Sequence, residues 1–279
     1  GDTGDAVGPG CDTVELAGLE KDVATQVAMW KKLSFETKRT PQARSACENA
    51  SRHLAVYQFQ QLAVDEAVKA LESTYTAPEQ IPPRIVELAA PVISQMVADS
   101  KDQVKGERLA DSAIAWIRNH APTDTSTPEA KKRAQEQWYY VADLHSDAKR
   151  DDKVLETYAQ IEKIYGQDDE TLGRLANWYK TRAKWDEARR IYNRFKDQVS
   201  GQSELAQSYY QENKFELAAN AYRQVVALDP ENPVKWKPSV AYCFRRAGKV
   251  PDAVATYMEL STDNTQSPNR WRVEAAHTY

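Results

Sequence analysis

Residues 206–230 read AQSYYQENKFELAANAYRQVVALDP. A small residue, Ala206, is followed three positions on by an aromatic, Tyr209. Ala218 stands twelve after Ala206, and Tyr222 four after Ala218. The same spacing recurs upstream in ANWYKTRAKWDEARRIYNRF (176–195), as Ala176, Tyr179, Ala188 and Tyr192. It recurs downstream in AYCFRRAGKVPDAVATYMEL (241–260), as Ala241, Phe244, Ala253 and Tyr257. A looser copy runs Ala142, His145, Val154, Tyr158. The leading small residues are separated by 34, 30 and 35 positions. Spacing inside the unit is kept while the joint between units varies, as loop insertions and deletions produce and a helix interior cannot absorb. A period of this size marks an array of stacked supersecondary units.

The chemistry of the unit is that of two helices in contact. The first small residue lets two antiparallel helices approach closely, and the aromatic three residues on lies along the same face. The second alanine sits where the second helix crosses the first, and the Tyr after it fills the gap to the next unit. A single pair leaves one apolar face uncovered, so pairs stack.

Leu205-Ala206, Tyr209, Phe215, Ala218, Tyr222 and Pro230, with the closing phrase ALDPENP, resemble the tetratricopeptide repeat family. The resemblance runs from about Pro128 to Tyr279. It implies an all-α, right-handed α-solenoid of stacked antiparallel helix pairs, with a more degenerate helical N-terminal half. The array is expected over residues 126–279, in units near 134–167, 168–198, 199–232 and 233–267, with an incomplete unit at 268–279. Two departures stand out: among the turns between paired helices only Gly248 supplies a glycine, and the 30-residue step implies a shortened joint after Phe195.

Outward from the array, GDTGDAVGPG opens the chain, and residues 1–12 read as a flexible lead-in or linker. Apolar residues at three- and four-residue spacing then predict helices across residues 13–125. The breaks are TKRTPQ, TAPEQIPP and TDTSTPEA, and Pro91 predicts a kink or break within 84–100. Thr127, Pro128 and Glu129 form a helix start: a cap, a first-turn proline and a carboxylate at the positive end of the dipole. ADSAIAWIRNHAP (110–122) and VDEAVKALES (64–73) resemble second helices of repeats, so this region reads as degenerate helix pairs, with a separate bundle as the alternative. No alternating strand pattern is present.

With 28% charged residues and a net charge of −4, the chain has no electrostatic signature of a nucleic-acid binder. Residues 1–127 carry 13 basic and 18 acidic side chains and residues 128–279 carry 24 and 23, so neither half is strongly basic. No apolar run is long enough to span a membrane. Cys11, Cys47 and Cys243 form no CxxC pair. Cys11 and Cys47 could pair in an oxidising compartment or stand as thiols, while Cys243 lies in an apolar pattern and reads as a small hydrophobe. Abundant Gln, Asn, Thr and Tyr, few cysteines and a start without Met lean toward a bacterial periplasm, envelope or secreted setting.

No phosphate-binding loop, dinucleotide fingerprint, nucleophile elbow or zinc-protease motif occurs, so no catalytic, cofactor or metal residue is assigned. His145 takes the slot of a packing aromatic. Asp151-Asp152 and Asp168-Asp169 read as caps and dipole partners, and Lys131, Lys132 and Arg133 as a solvated face. The resemblance implies instead a non-catalytic scaffold or adaptor that holds a partner protein or peptide against the first helices. The candidate partner-binding residues are Tyr139, Asp143, Asn177, Lys180, Gln207, Tyr210, Tyr242, Arg245 and Arg246. One branch of the family clamps C-terminal carboxylates with Lys, Asn and Arg. Here Asn177 matches, but Tyr139, Gly173, Ser203 and Pro238 replace the leading basic residues, which argues against that branch. The other functions expected are a recruiting segment of a larger enzyme and a component that self-associates through exposed repeat ends. NRWRVEAAHTY (269–279) repeats Trp236, Ala241 and Phe244 as Trp271, Ala276 and Tyr279, and so reads as the first helix of a unit cut within a longer repeat protein.

Overall fold

The structure, a computed structural model, describes residues 23–35, 41–74, 85–263 and 267–278. The lead-in at 1–12, Cys11 with its pairing to Cys47, and Tyr279 lie outside the described residues. Fourteen helices and no strands are present among those described. They are α1 (Val23–Ser34), α2 (Pro41–Gln60), α3 (Val64–Glu72), α4 (Ile85–Ala98), α5 (Gln103–His120), α6 (Pro128–Asp147) and α7 (Asp151–Tyr165). Beyond these lie α8 (Asp169–Thr181), α9 (Trp185–Tyr192), α10 (Gln198–Gln211), α11 (Phe215–Leu228), α12 (Pro233–Arg246), α13 (Val250–Asp263) and α14 (Pro268–Ala276). Among the described residues the chain is all-α, with adjacent helices packed in pairs. No described helix is long and apolar enough to cross a membrane.

Two compact units divide within α7, one up to residue 161 and one from 162. In the first unit, α4 packs against α3, α5 and α6. Its core includes Leu54, Phe59, Val68, Ile93, Ile117 and Leu144. Pro91 neither ends nor splits α4, which runs on through it. Trp116 on α5 donates its indole N–H to Asp65 on α3 at 2.7 Å.

In the second unit each helix from α8 to α14 packs on the next. Ala176, Ala206 and Ala241 on first helices, and Ala188, Ala218 and Ala253 on second helices, are completely buried. A larger side chain at any of these crossings would force the helices apart. Tyr192, Tyr222 and Tyr257 are buried beside them. Cys243 is buried as well, and burial pushes its thiol up to about 11. Trp271 stacks on Tyr257 with ring centroids 6.3 Å apart, and both join a core with Ala241, Leu260 and Ala275. Ala276 is exposed.

The turn within each pair is built the same way. Lys149, Ala183, Asn213 and Gly248 all have positive φ, between 54° and 72°. Each comes seven positions after its small first-helix residue. Two backbone bonds close each turn: the Gly248 N–H donates to Arg245 O at 3.1 Å and the Lys249 N–H to Phe244 O at 2.9 Å, with equivalents at the other three. This geometry satisfies carbonyls left open at the helix end and favours glycine at the left-handed residue. Leu62, with φ 60°, closes the α2–α3 turn by the same bonds, from Leu62 N–H to Phe59 O and Ala63 N–H to Gln58 O. Ala55 and Ala67, seven before and five after Leu62, are both completely buried.

Alanine in a left-handed conformation costs about 1 kcal/mol or more relative to glycine. Ala183→Gly is therefore expected to raise stability by about that amount, and Gly248→Ala to lower it. Urea unfolding of both variants checks this, and a destabilised Ala183→Gly would contradict it.

Helix starts agree with the sequence reading. Thr127 Oγ1 accepts from the Ala130 N–H at 3.1 Å, with Pro128 in the first turn. Asp168 accepts from the Thr171 N–H at 2.9 Å. Asp169 does something further: its carboxylate accepts from the N–H groups of Lys196 and Asp197, at 2.7 and 2.9 Å, fixing the joint after α9. The joint itself is not short, with five residues (193–197) against four (229–232) between α11 and α12; contrary to expectation, the array is shortened within helix α9. Helix α9 has 8 residues, against 14 in both α11 and α13.

Candidate partner-binding groove

Three first helices of the second unit, α10, α12 and α14, line a cleft of about 410 Å³. Helix α10 contributes Gln207 and Tyr210, α12 contributes Tyr242 and Arg245, and α14 contributes Arg270 and Glu274. They share a cleft because each sits on its first helix away from the buried alanine stripe that faces the second helices.

Tyr210 and Tyr242 form its aromatic floor, with ring centroids 6.1 Å apart. Tyr210 also meets the edge of Phe215 at 5.5 Å. Arg246, next to the cleft, lies over Phe215 at 4.5 Å and donates to the Tyr242 hydroxyl at 3.2 Å. The hydrogen bond from Arg246, with a further one from Tyr210, holds the Tyr242 phenol below its ordinary value. Arg245 lies 5.3 Å from the Tyr242 ring and 3.4 Å from the Glu274 carboxylate. Arg270 stands over Trp271 at 4.8 Å. Among the described residues, neither Arg246 nor Arg270 is paired with a carboxylate. The groove therefore offers two guanidinium groups, with a third, Arg246, beside it, against one carboxylate, Glu274, on an aromatic floor. Gln207 accepts from the buried Tyr222 hydroxyl at 2.9 Å, which fixes its amide.

Four expected residues, Gln207, Tyr210, Tyr242 and Arg245, thus line one cleft, and Arg246 is tied to it through Tyr242. Asn177 and Lys180 lie on α8, outside the cleft, with Asn177 exposed and Lys180 half-buried. Asp143 is exposed on α6 in the first unit. Tyr139 departs from expectation: it is only 3% exposed and accepts a hydrogen bond from the Gln135 amide at 3.0 Å. It is a packing residue and not part of an open face, because helical spacing places a side chain on a face without showing what covers that face. Arg270 and Glu274 were not expected. The repeat step gave no signal for Arg270, since Lys235, 35 positions before it, does not line the cleft.

Residues 199–232 match the family model described as Tetratricopeptide repeat. No curated protein matches the chain. Twenty-seven chains of solved structures do. One is "Crystal Structure of the Yeast Tom70", 13% identical, with a TM-score of 0.35 over 93% of this chain and 64% of that one. The chain thus spans less than two thirds of that protein's length in the structure. The matched unit at 199–232 is similar to a tetratricopeptide repeat, and its left-handed turn and buried alanines recur in the pairs on either side of it.

Proposed function

We propose that this protein is a non-catalytic scaffold or adaptor, which holds an extended segment of a partner protein against α10, α12 and α14. The observation that carries this reading is the convergence of Tyr210, Tyr242, Arg245 and Arg270 from three successive first helices on one cleft. Tyr and Arg are the side chains that most often anchor protein interfaces. Their charge balance favours a segment bearing carboxylates, which guanidinium groups bind through paired hydrogen bonds.

An array of short peptides of varied charge tests this with the intact chain. Acidic peptides containing an aromatic residue are expected to be retained, and to be released as salt rises, because exposed charge pairs are screened. Tyr210→Ala and Arg245→Ala should each weaken binding by about tenfold, the loss typical of an interface anchor. Retention of basic peptides, or undiminished binding by the Tyr210→Ala/Arg245→Ala double variant, would sink the proposal.

A further inference from the structure

The first unit holds a second cavity, of about 500 Å³, where α5, α6 and the first turns of α7 meet. His145 forms part of its wall. The three later copies fill the equivalent slot with Tyr179, Tyr209 and Phe244. Imidazole is smaller than those rings, and an underfilled slot leaves space that close packing would otherwise remove. His145 is only 8% exposed, and its Nδ1 is buried without a hydrogen-bond partner. A buried polar atom left unpaired is costly, so a structure that keeps one calls for an explanation.

Charged groups surround the ring. Helix α5 presents Glu107, Asp111 and Arg118; Arg150 stands just before α7, which presents Lys153 and Glu156. Arg150 holds Asp111 at 2.5 Å and Glu107 at 3.6 Å, and Lys153 holds Glu156 at 2.7 Å. Each carboxylate is thus answered by a cation. Arg118 meets no carboxylate among the described residues and instead lies 5.7 Å from the Trp138 ring. Burial, followed by the charges of Arg150 and Arg118, holds His145 below its ordinary value, with Asp111 acting the other way and Lys153 adding to the depression. The field at the imidazole is therefore positive, and the wall beside it carries the indole of Trp138 and the apolar side chain of Ile114.

We propose that this cavity binds a small aromatic carboxylate, its anion met by Arg118 and His145 and its ring lying against Trp138 and Ile114. The bound anion offsets the positive field and favours the protonated imidazole, so binding takes up a proton at His145. Affinity accordingly rises as pH falls towards the ring's own titration range.

Benzoate is the probe, titrated into the full chain and followed by the NMR signals of the His145 ring and the Trp138 indole. Binding is expected to saturate and to tighten severalfold between about pH 8 and about pH 5.5, where histidine changes charge and benzoate does not. His145→Tyr restores the repeat's usual aromatic and fills the slot, and should abolish binding. Arg118→Gln, at an exposed position on α5, should weaken it by about tenfold, the loss of one charge-assisted contact. Neutral benzamide should bind more weakly than benzoate, and Tyr210→Ala in the other unit should have no effect. Absence of saturable binding, an affinity flat across that pH range, or binding undiminished in both His145→Tyr and Arg118→Gln overturns the proposal.

Discussion

Replacing Glu212 by alanine is expected to destabilise the second unit by about 3 kcal/mol, the lower end of the loss usual when a buried ion pair is deprived of one member. Arg189, on the second helix α9, is 6% exposed, which is rare for an arginine. Its guanidinium donates to Glu212, just past the end of α10, and to Asp186 at 2.6 Å. Its plane also rests over the Tyr209 ring at 4.5 Å. Without Glu212 the guanidinium stays in its niche with only the exposed carboxylate of Asp186, and Lys214 loses its partner at 2.9 Å as well. The companion double variant, Arg189→Met with Glu212→Leu, removes both charges and should recover most of the loss, because desolvating the pair offsets much of its attraction. Urea unfolding of the single and double variants measures this. A loss in the double variant equal to or greater than that in Glu212→Ala would mean that the pair itself is strongly stabilising.

The same pair sets a pH dependence. Burial works to raise the Glu212 carboxyl, but hydrogen bonds from Lys214 and Arg189 outweigh it and hold the group below its ordinary value of 4.5. A carboxyl depressed in the folded state contributes stability that is complete above its unfolded pKa. That contribution is lost as pH falls through the folded pKa. Stability should therefore fall on acidification below about pH 4.5, and less steeply in Glu212→Gln than in the parent chain. Parallel slopes in the two proteins would assign the acid sensitivity to other carboxylates.

The repeat was legible because its marks have strict steric reasons. Only a small residue fits a helix crossing, and Ala176, Ala206 and Ala241 are buried as their spacing required. The 30-residue step predicted a shortened joint after Phe195, but the residues are missing from helix α9, which has 8 residues against 14 in α11. The α2–α3 pair was harder to recognise. Ala55 and Ala67 keep the twelve-residue spacing, but Gln58 and Leu71 stand where the later copies carry aromatics. Its left-handed turn falls on Leu62, a residue with no preference for that conformation. The lining of the cleft was legible at Gln207, Tyr210, Tyr242 and Arg245, where the register is clean, while Tyr139 is buried because tertiary packing covers the expected face. Arg189 gave no signal at all, since a buried arginine and a solvated one look alike in sequence.

Gly201→Ala is expected to destabilise the protein by about 1–3 kcal/mol, the range for forcing extra atoms into a packed interface. Within a helix the same substitution ordinarily gains about 0.5–1 kcal/mol, because glycine loses more backbone freedom on folding. The reversal comes from the short helix α9. It ends at Tyr192 after 8 residues, and the five-residue joint 193–197 brings the first turn of α10 onto its end. A Cβ on Gly201 would lie 2.6 Å from the Tyr192 carbonyl oxygen and 3.0 Å from Phe195 Cβ. The oxygen belongs to backbone and cannot rotate away, and Phe195 is itself buried in T-shaped contact with Tyr192. The joint cannot simply slide, because Asp169 holds the N–H groups of Lys196 and Asp197 while Asp197 caps α10 through Val199 and Ser200. Gly173 is the control. It lies inside α8, and a Cβ there would meet only Phe195 Cζ, at 3.7 Å, an ordinary contact. Gly173→Ala should therefore stabilise by the usual amount, so that two identical substitutions in neighbouring first helices move the urea midpoint in opposite directions. A Gly201→Ala protein as stable as Gly173→Ala would show that α9 and α10 are not held this closely, and that the 30-residue step is accommodated elsewhere.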